Sequence, residues 1–197
     1  EQCLSQTPVK HVVLAAMGDL LGLVKGALVN QVVRKVKKLV PAFNLPRAVR
    51  FNEALARGAR GTLKRPEIKP DDMAVLQYTG GTTGVSKGAV LLHRNIIANV
   101  LQSEAWNEPV MKQVPSGEQP TAVCALPLYH IFAFTVNMML GMRTGGKNIL
   151  IPNPRDLPAV LKELSRHTFH SFPAVNTLFN GLASHPDFST VNWRNLK

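Results

Sequence analysis

The second half of the sequence alternates between short apolar runs and longer segments of helical periodicity. Residues 121–126, 147–151 and 168–172 have the length and composition of buried strands, and they are separated by an apolar helix over residues 131–142 and by a helix that Asp156 caps. Strands that alternate with helices are joined by crossovers, which are right-handed in nearly all proteins. The sequence therefore predicts an α/β fold with mainly parallel sheets and helices packed on both faces.

A Gly-rich stretch lies between two further runs that we predict to be strands, residues 73–78 and 89–92. Its members are Tyr78, Thr79, Gly80, Gly81, Thr82, Thr83, Gly84, Val85, Ser86, Lys87, Gly88 and Ala89. Glycine lets the backbone approach a ligand, successive N–H groups in such a turn can point at an anion, and hydroxyl and ammonium groups add donors. Each hydrogen bond to a charged phosphate contributes about 1.5–3 kcal/mol, so several of them suffice for a polyphosphate. The alternative is a flexible surface loop.

This stretch differs from two common nucleotide-binding motifs. The Walker pattern places Lys between Gly and Ser or Thr, whereas Lys87 lies between Ser86 and Gly88. The G-x-G-x-x-G pattern of dinucleotide-binding folds is also missing from it. Because the loop connects two strands, phosphate binding would depend on N–H groups and hydroxyls without support from a helix dipole.

Basic residues are concentrated near the start of the chain. The net charge is +11, and residues 1–70 contain 13 Lys or Arg against 4 Asp or Glu, with no acid in residues 20–52. Residues 24–40 have a helical period with basic positions mostly outside an apolar stripe. The stripe consists of Leu28, Val29, Val32, Val33, Val36, Leu39 and Val40. Such a helix can lie in a membrane interface, or it can pack on its own domain with a solvated basic face. Nucleic acid is not expected as a partner, because no aromatic residues alternate with these charges.

Two histidines lie at predicted helix starts. His93 opens a helix whose buried face we expect to be Ile96, Ile97, Val100 and Leu101, and we assign His93 a structural role. His130 lies between a strand end and an apolar helix. Ligands bind outside the carboxyl ends of strands in open α/β sheets, so we expect His130 to face a cleft, with a purely structural role as the alternative.

Caps, prolines and cysteines supply the remaining expectations. Asn52 is predicted to cap a helix that ends at Arg57, residues 108–120 with three prolines to form a loop, and Pro173 to start the last helix. The only cysteines, Cys3 and Cys124, give neither a disulfide framework nor a zinc site, and we expect each to be a small buried residue.

Two separated motifs resemble those of one family. Residues 78–89 resemble the phosphate-binding signature of the adenylate-forming (AMP-binding) superfamily, which includes acyl-CoA synthetases, luciferases and peptide-synthetase adenylation domains. Residues 126–132 resemble its second signature, and the spacing to His93 agrees. Residues 153–156 and 175–180 narrow the resemblance to bacterial long-chain fatty-acid–CoA ligases.

The resemblance implies a reaction in two steps. A fatty-acid carboxylate attacks the α-phosphate of ATP, and the thiol of CoA then attacks the acyl-adenylate. By this resemblance residues 78–89 bind ATP, Thr82 helps to hold Mg²⁺, and Lys87 and His130 act in catalysis. Lys87 would hold the leaving pyrophosphate and His130 would line the acyl pocket near the reactive carboxylate. The helix over residues 131–142 would line the acyl tunnel, with ordinary core packing as the alternative for most of it.

Several family motifs are not found in these residues. They are the metal-binding Glu, the ribose-binding Asp and the catalytic Lys of the C-terminal domain. We therefore expect residues 1–197 to be a fragment of the large N-terminal AMP-binding domain, without the C-terminal domain and inactive alone. A cytoplasmic location is expected, with peripheral contact at the inner membrane face through residues 24–40 left open. The competing interpretations are a ligase for another carboxylic acid and a basic module that binds a membrane or nucleic acid.

Overall fold

The computed structural model describes residues 3–79 and 87–197, and the chain divides into two compact units, Glu1–Glu67 and Ile68–Lys197. The elements of the first unit are a 3₁₀ turn (Leu4–Gln6), β1 (Val13–Leu14), α1 (Leu23–Gln31), a π-helical segment (Val32–Val36), β2 (Val49–Arg50) and α2 (Phe51–Gly58). Strands β1 and β2 pair in parallel, with Val13 opposite Val49. Cys3 is exposed, so the prediction that it is buried was wrong.

A contact between two glycines fixes α1 against the turn that precedes it. A Cβ atom on Gly18 would lie 2.2 Å from the carbonyl oxygen of Gly26, and a Cβ atom on Gly26 would lie 2.4 Å from that of Gly18. Asn30 reinforces the contact, since its Oδ1 accepts a hydrogen bond of 2.8 Å from the N–H of Gly18. The backbones can approach this closely only because neither residue has a side chain.

The predicted apolar stripe of residues 24–40 does not form one buried face. Val29, Val32 and Val33 are partly buried, but Leu28 and Val36 are exposed. The helix changes to π-helical hydrogen bonding at Val32–Val36, where the N–H of Lys37 donates to the carbonyl of Val32. The wider π turn shifts the phase of the side chains, so a stripe drawn with the α-helical period is interrupted there.

Residue Asn52 lies inside α2 instead of capping it. The helix begins one residue earlier, at Phe51, and Arg50 occupies the cap position with an extended backbone (φ −70°, ψ 144°). The helix follows β2 directly, so strand pairing and not a capping side chain sets its start.

The second unit contains a hairpin and an α/β sheet. Its elements are β3 (Met73–Thr79), β4 (Lys87–Leu92), α3 (His93–Met111), β5 (Thr121–Cys124), α4 (Ile131–Ala133), a π-helical segment (Phe134–Met139), α5 (Leu140–Thr144), β6 (Lys147–Leu150), α6 (Leu157–Leu164), α7 (Asn176–Ala183) and 3₁₀ turns at Pro186–Thr190 and Trp193–Asn195. Strands β3 and β4 are antiparallel, whereas β5 and β6 are parallel. The α/β class with parallel pairing is therefore confirmed.

The strand predicted at residues 168–172 is reduced to one bridge, in which Ser171 pairs in parallel with Ala122. The imidazole of His170 replaces a backbone carbonyl as acceptor in this pairing, because its Nδ1 accepts a 3.1 Å hydrogen bond from the N–H of Thr121. The N–H of His170 donates in turn to the carbonyl of Thr121. A side chain thus replaces a ladder bond and ends the regular pairing.

The two faces of this sheet pack against different helices. Val123, Ala125, Ile149 and Ile151 belong to the main apolar core together with residues of α6 and α7. Successive side chains of a strand point to opposite faces, so Ala122 and Asn148 lie on the other side, where the carbonyl of Asn137 accepts a hydrogen bond from the Nδ2 group of Asn148. Helical segments therefore cover both faces, as the sequence pattern predicts. Asp156 caps α6 as expected, with its Oδ1 accepting from the N–H of Ala159 at 3.2 Å.

Helix boundaries near prolines differ from the predictions. Helix α3 continues through Pro109 to Met111, so the loop starts later than residue 108, and the N–H of Lys112 still donates to the carbonyl of Glu108. Helix α7 begins at Asn176 and not at Pro173, and Val175 at its cap position has an extended backbone (φ −95°, ψ 151°).

The buried face of α3 also differs from the prediction. Ile96 and Val100 are buried, but Ile97 and Leu101 are about half exposed. Ile97 and Leu101 each follow a buried residue by one position. One position in an α-helix rotates a side chain by about 100° around the helix axis, which turns both side chains away from the core.

Candidate functional site

The Gly-rich stretch begins and ends on paired strands. Tyr78 lies opposite Gly88, and Thr79 lies opposite Lys87, so the two predicted strands on either side of the stretch are confirmed. Neighbouring strands are about 4.8 Å apart, which places the two ends of the intervening loop close together. The two strand ends that flank the predicted phosphate-binding residues therefore lie side by side.

Within the hairpin, Gly88 meets the ring of Tyr78. A Cβ atom on Gly88 would lie 3.2 Å from Cζ of that ring, closer than nine in ten Cβ contacts. The absence of a side chain at Gly88 is therefore explained by cross-strand packing, with no need for a ligand. Tyr78 remains 62% exposed, so its other ring face is open to solvent.

Most of the predicted phosphate-binding residues fall outside the described ranges. These are Gly80, Gly81, Thr82, Thr83, Gly84, Val85 and Ser86. Their assignment to ATP, and that of Thr82 to Mg²⁺, therefore stay predictions.

Residue His130 lies at the start of α4, after the strand β5 and a turn in which its N–H donates to the carbonyl of Pro127. Its Nδ1 accepts a hydrogen bond of 3.2 Å from the N–H of Phe132, so the imidazole is an N-terminal cap. A ring nitrogen that accepts carries no proton, which in the neutral imidazole leaves the proton on Nε2. Because His130 is exposed, its Nε2–H is oriented as a donor at the surface.

Large side chains surround His130 at this surface. Tyr129, in the segment between β5 and α4, is 85% exposed, and Phe132, within α4, is 42% exposed. The placement at a strand end agrees with the sequence prediction. Nδ1 of His130 has a structural role as the helix cap, while Nε2 remains available to a ligand. The structural and functional interpretations of His130 are therefore compatible.

The helix predicted to line a tunnel consists of three segments, α4, the π segment and α5. Ala133, Thr135 and Asn137 are buried in the core, whereas Met142 is exposed. A cavity of about 240 Å³ lies beside its second half. The cavity is bounded by Glu104, Asn107, Glu108, Met111, Pro120, Thr121, Ala122, Val136, Asn137, Leu140, Gly141, Thr144, Gly146, Lys147, Asn148 and Ser171.

An amide pair forms one wall of this cavity. The Nδ2 group of Asn137 donates to the carbonyl of Val123 at 3.3 Å and to Oδ1 of Asn148 at 3.1 Å. Gly141 accommodates the pair, since a Cβ atom there would lie 2.8 Å from Nδ2 of Asn148. Oδ1 of Asn137 is buried without a hydrogen-bond partner.

The sequence predictions missed the amide pair and His170. A polar residue in the middle of an apolar helix, as Asn137 is, signals a buried hydrogen bond, because an unpaired amide in a core is costly. His170 in an apolar run carries the same signal. Its Nε2 lies 3.4 Å from a carboxylate oxygen of Glu118, within ion-pair distance, but the two atoms are not aligned as a hydrogen bond.

Three ionisable groups of the described residues have pKa values with an identifiable cause of shift. Burial raises the pKa of the Cys124 thiol, which makes it an inert core residue as expected. The hydrogen bond from Lys112 lowers the pKa of Glu108, and the hydrogen bond from His167 lowers that of Glu163. Within residues 3–79 and 87–197, no group of three or more His, Cys, Asp or Glu side chains is arranged to hold a metal ion.

Comparison with known proteins identifies relatives along the full chain. The model of the AMP-binding enzyme family matches residues 1–196. The long-chain-fatty-acid–CoA ligase of Escherichia coli O157:H7 is 48% identical over 196 residues, which cover 100% of this chain and 34% of the ligase. The ligase of the same name from Haemophilus influenzae is 49% identical over 197 residues, with 100% and 35% of the two chains covered. The chain thus spans about a third of the length of these curated relatives.

Solved structures agree on the fold. The inhibitor-bound N-terminal domain of FACL13 from Mycobacterium tuberculosis superposes with a TM-score of 0.58 at 20% identity, covering 94% of this chain and 42% of that one. ATP-bound MatB from Rhodopseudomonas palustris gives a TM-score of 0.56 at 24% identity, covering 73% and 29%. Motifs, fold and the full-length family match lead to one conclusion: the chain belongs to the AMP-binding enzyme family.

Proposed function

We propose that this chain is part of an AMP-forming acid–thiol ligase that activates a long-chain fatty acid with ATP and transfers it to CoA. The observation that carries the proposal is the β3–β4 hairpin, which joins Thr79 and Lys87 at the base of the Gly-rich loop. The sequence identity of 46–49% to long-chain-fatty-acid–CoA ligases supports the substrate class. A ligase for a different carboxylic acid is the competing candidate.

In this proposal the hairpin holds the pyrophosphate end of ATP. The N–H groups of residues 80–86 and the hydroxyls of Thr79, Thr82 and Thr83 donate to phosphate oxygens, and Lys87 places its charge at the end of the loop. Charge-assisted hydrogen bonds are about twice as strong as neutral ones, so the loop can stabilise pyrophosphate as it leaves. Catalysis of this first step requires positioning and charge neutralisation more than covalent chemistry by the protein.

The donors of the loop fit a metal–nucleotide complex better than a free metal ion. A Gly/Thr/Ser loop carries hydroxyl and N–H groups but no carboxylate, so the phosphates themselves would supply most ligands for Mg²⁺, with Thr82 as the protein ligand. When bound, Mg²⁺ neutralises phosphate charge.

His130 takes a positioning role at the acyl side. Its Nδ1 is occupied by the N–H of Phe132, and the remaining Nε2–H is a donor suited to a carboxylate oxygen. A donor that faces the reacting carboxylate orients it without removing a proton. The apolar part of the cavity beside the second half of the 131–142 helix, at Met111, Val136 and Leu140, suits an acyl chain.

We further propose that residues 1–197 form part of one large N-terminal domain and do not complete the reaction alone. The support is the coverage, since the relatives are about three times as long as this chain. ATP–pyrophosphate exchange with oleate should therefore be absent from the 197-residue chain, and turnover by it would contradict this part of the proposal.

The test of the function uses the full-length ligase that contains this chain. Thr82→Ala and Lys87→Ala each remove a phosphate contact worth about 1.5–3 kcal/mol, so the rate of ATP–pyrophosphate exchange should fall roughly 10- to 100-fold. Thr62→Ala and Lys64→Ala are matched controls, because both residues are exposed and lie outside the hairpin. Equal rates in all four variants would show that the hairpin does not hold the nucleotide.

A cytoplasmic location with peripheral membrane contact is also proposed. The chain has only two cysteines, which suits a reducing compartment. The specific support for membrane contact is the combination of exposed apolar and basic side chains in the first unit. Among the described residues, no helix has both the length and the apolar character needed to cross a bilayer.

A further inference from the structure

An amide pair connects the helix that follows His130 to both strands of the β5–β6 sheet. Nδ2 of Asn137 donates to the carbonyl of Val123 on β5 at 3.3 Å and to Oδ1 of Asn148 on β6 at 3.1 Å. Nδ2 of Asn148 donates to the carbonyl of Asn137 at 2.9 Å. We refer to the two side chains with these three hydrogen bonds as the amide clamp. We propose that the amide clamp positions the imidazole of His130, which makes Asn137 and Asn148 positioning residues for the acyl site.

Three hydrogen bonds attach His130 to the start of the helix and to the turn before it. Its N–H donates to the carbonyl of Pro127, and its carbonyl accepts from the N–H of Phe134, both at 2.9 Å. Its Nδ1 accepts from the N–H of Phe132. The backbone and one ring nitrogen of His130 are therefore held by neighbouring residues, so the direction of the Nε2–H group follows the position of the helix start.

The amide clamp closes the segment that carries His130. Val123 and Asn137 are 14 residues apart, and His130 lies midway between them in the sequence. Their hydrogen bond joins the strand end of this segment to its helix end, which leaves the segment fewer conformations. Because Asn148 belongs to the neighbouring strand, the clamp also fixes the segment relative to the sheet.

The clamp lies where the helix widens into a π turn. The N–H of Leu140 donates to the carbonyl of Thr135, five residues earlier, which is the π-helical pattern. One extra residue in a turn rotates the preceding residues by about 100° relative to a continuous α-helix. Gly141 leaves room for the clamp beside this turn, since a Cβ atom there would lie 2.8 Å from Nδ2 of Asn148. The clamp thus holds the π turn, and the π turn sets the rotation of the helix start at His130.

Apolar packing alone does not explain an amide at position 137. The side chain of Asn137 is 1% exposed, and burial of an amide carries a desolvation cost that its hydrogen bonds offset. A leucine or valine would fill the core without this cost, but it could not bond to both strands. The gain from Asn137 is therefore in geometry. Every atom of the clamp belongs to this chain, so no further part of the domain is needed to form it.

The inference rests on the proposed function, in which the Nε2–H of His130 donates to the carboxylate of the fatty acid. A displacement of about 1 Å at a positioned group can lower a rate about 100-fold. The clamp is built on β5, β6 and the helix, whereas the residues that flank the Gly-rich stretch lie on β3 and β4. Loss of the clamp should therefore lower kcat and leave the KM for ATP near its original value.

The experiment is a double-mutant cycle in the full-length ligase that contains this chain, measured by ATP–pyrophosphate exchange with oleate. Asn148→Asp places an oxygen where Nδ2 donates, so that two acceptors face each other at the carbonyl of Asn137. We expect kcat to fall about 10- to 100-fold and the KM for ATP to change by less than about twofold.

The second arm of the cycle is His130→Ser, because serine also caps a helix but has no Nε2–H group. In this background Asn148→Asp should lower kcat by less than about threefold, since the group that the clamp positions has been removed. A residue with a merely structural role would reduce kcat by the same factor in both backgrounds.

A second variant and a control complete the design. Asn148→Ser removes the same donor without introducing a charge and should reproduce the loss of kcat. Asn192→Asp is the matched control, because Asn192 is exposed and its Oδ1 accepts from the N–H of Arg194, as an aspartate also can. The control should exchange at the rate of the unchanged enzyme, and circular dichroism at the assay temperature verifies that every variant is folded.

Three results would overturn the proposal. They are an unchanged kcat in both variants of Asn148, an equal loss of kcat with and without His130→Ser, and a rise in the KM for ATP that accompanies the loss of kcat. Absence of exchange in the unchanged full-length ligase would contradict the proposed function itself, and this inference would fail with it.

Discussion

The two units of this chain are stabilised in different ways. In Ile68–Lys197 a core of completely buried side chains, including Val123, Leu164 and Phe169, lies between the sheet and helices α6 and α7. In the described part of Glu1–Glu67 the only buried residues are Gly18 and Gly26. One unit is thus held by apolar side-chain packing, and the other by a close backbone contact and local hydrogen bonds.

This difference has consequences for function. A packed core fixes strand β5, which precedes His130, and this suits a group that must be positioned for chemistry. The first unit buries few of its apolar side chains and leaves many of them exposed.

The largest effect that tests the comparison is expected from Phe169→Ala. Phe169 is fully buried and makes edge-to-face contacts with Phe172 and Trp193 at centroid distances of 6.2 and 5.7 Å. Its truncation should lower the free energy of unfolding by about 3–5 kcal/mol. Urea denaturation followed by tryptophan fluorescence measures this. Phe43→Ala, at a half-exposed position of the first unit, should lower the free energy of unfolding by about 1 kcal/mol or less. Equal losses of free energy in the two variants would remove the distinction between the units.

A smaller effect tests the glycine contact. Gly26→Ala places a Cβ atom 2.4 Å from a carbonyl oxygen and should destabilise the first unit by about 1–3 kcal/mol through overpacking. Gly58→Ala is the control, because nothing lies within 4 Å of its Cβ position and alanine favours the helix by about 1 kcal/mol. Thermal unfolding monitored by circular dichroism compares them. A Gly26→Ala protein as stable as Gly58→Ala would mean that the backbone contact is not what holds the unit.

The smallest effect concerns an exposed carboxylate in the second unit. The hydrogen bond from His167, followed in weight by the charge of Arg166, lowers the pKa of Glu163 below its ordinary value of 4.5. A lowered pKa contributes stability above the ordinary value, and this contribution is lost as the pH falls through the folded-state pKa. His167→Ala should therefore raise the pKa of Glu163 toward 4.5, as measured by carboxyl NMR titration. The pKa of Glu108, lowered by Lys112, should not move, and a shift there would indicate a general structural change.

Much of the fold follows from local pattern. The hairpin strands, the parallel pair β5–β6, the cap at Asp156 and the helix at His93 were all predictable, because periodicity and capping chemistry are encoded within a few neighbouring residues. The helix boundaries near Pro109, Pro173 and Asn52 were not predictable, because contacts with distant residues decide whether a helix continues past a weak start or stop signal in the sequence.

For the site, the sequence by itself determined the chemistry. The order of residues in 78–89 and in 126–132 resembles the two signatures of the family to which the chain belongs, because ligand-binding groups must have particular types and spacings whatever surrounds them. The tertiary structure decided which atoms these groups contact. It showed that Gly88 accommodates the Tyr78 ring, that Nδ1 of His130 caps a helix, and that a π-helical segment divides the apolar stripe of the first unit. These outcomes depend on which atoms meet across long sequence separations or on the phase of a helix, and no local pattern of residue types specifies either.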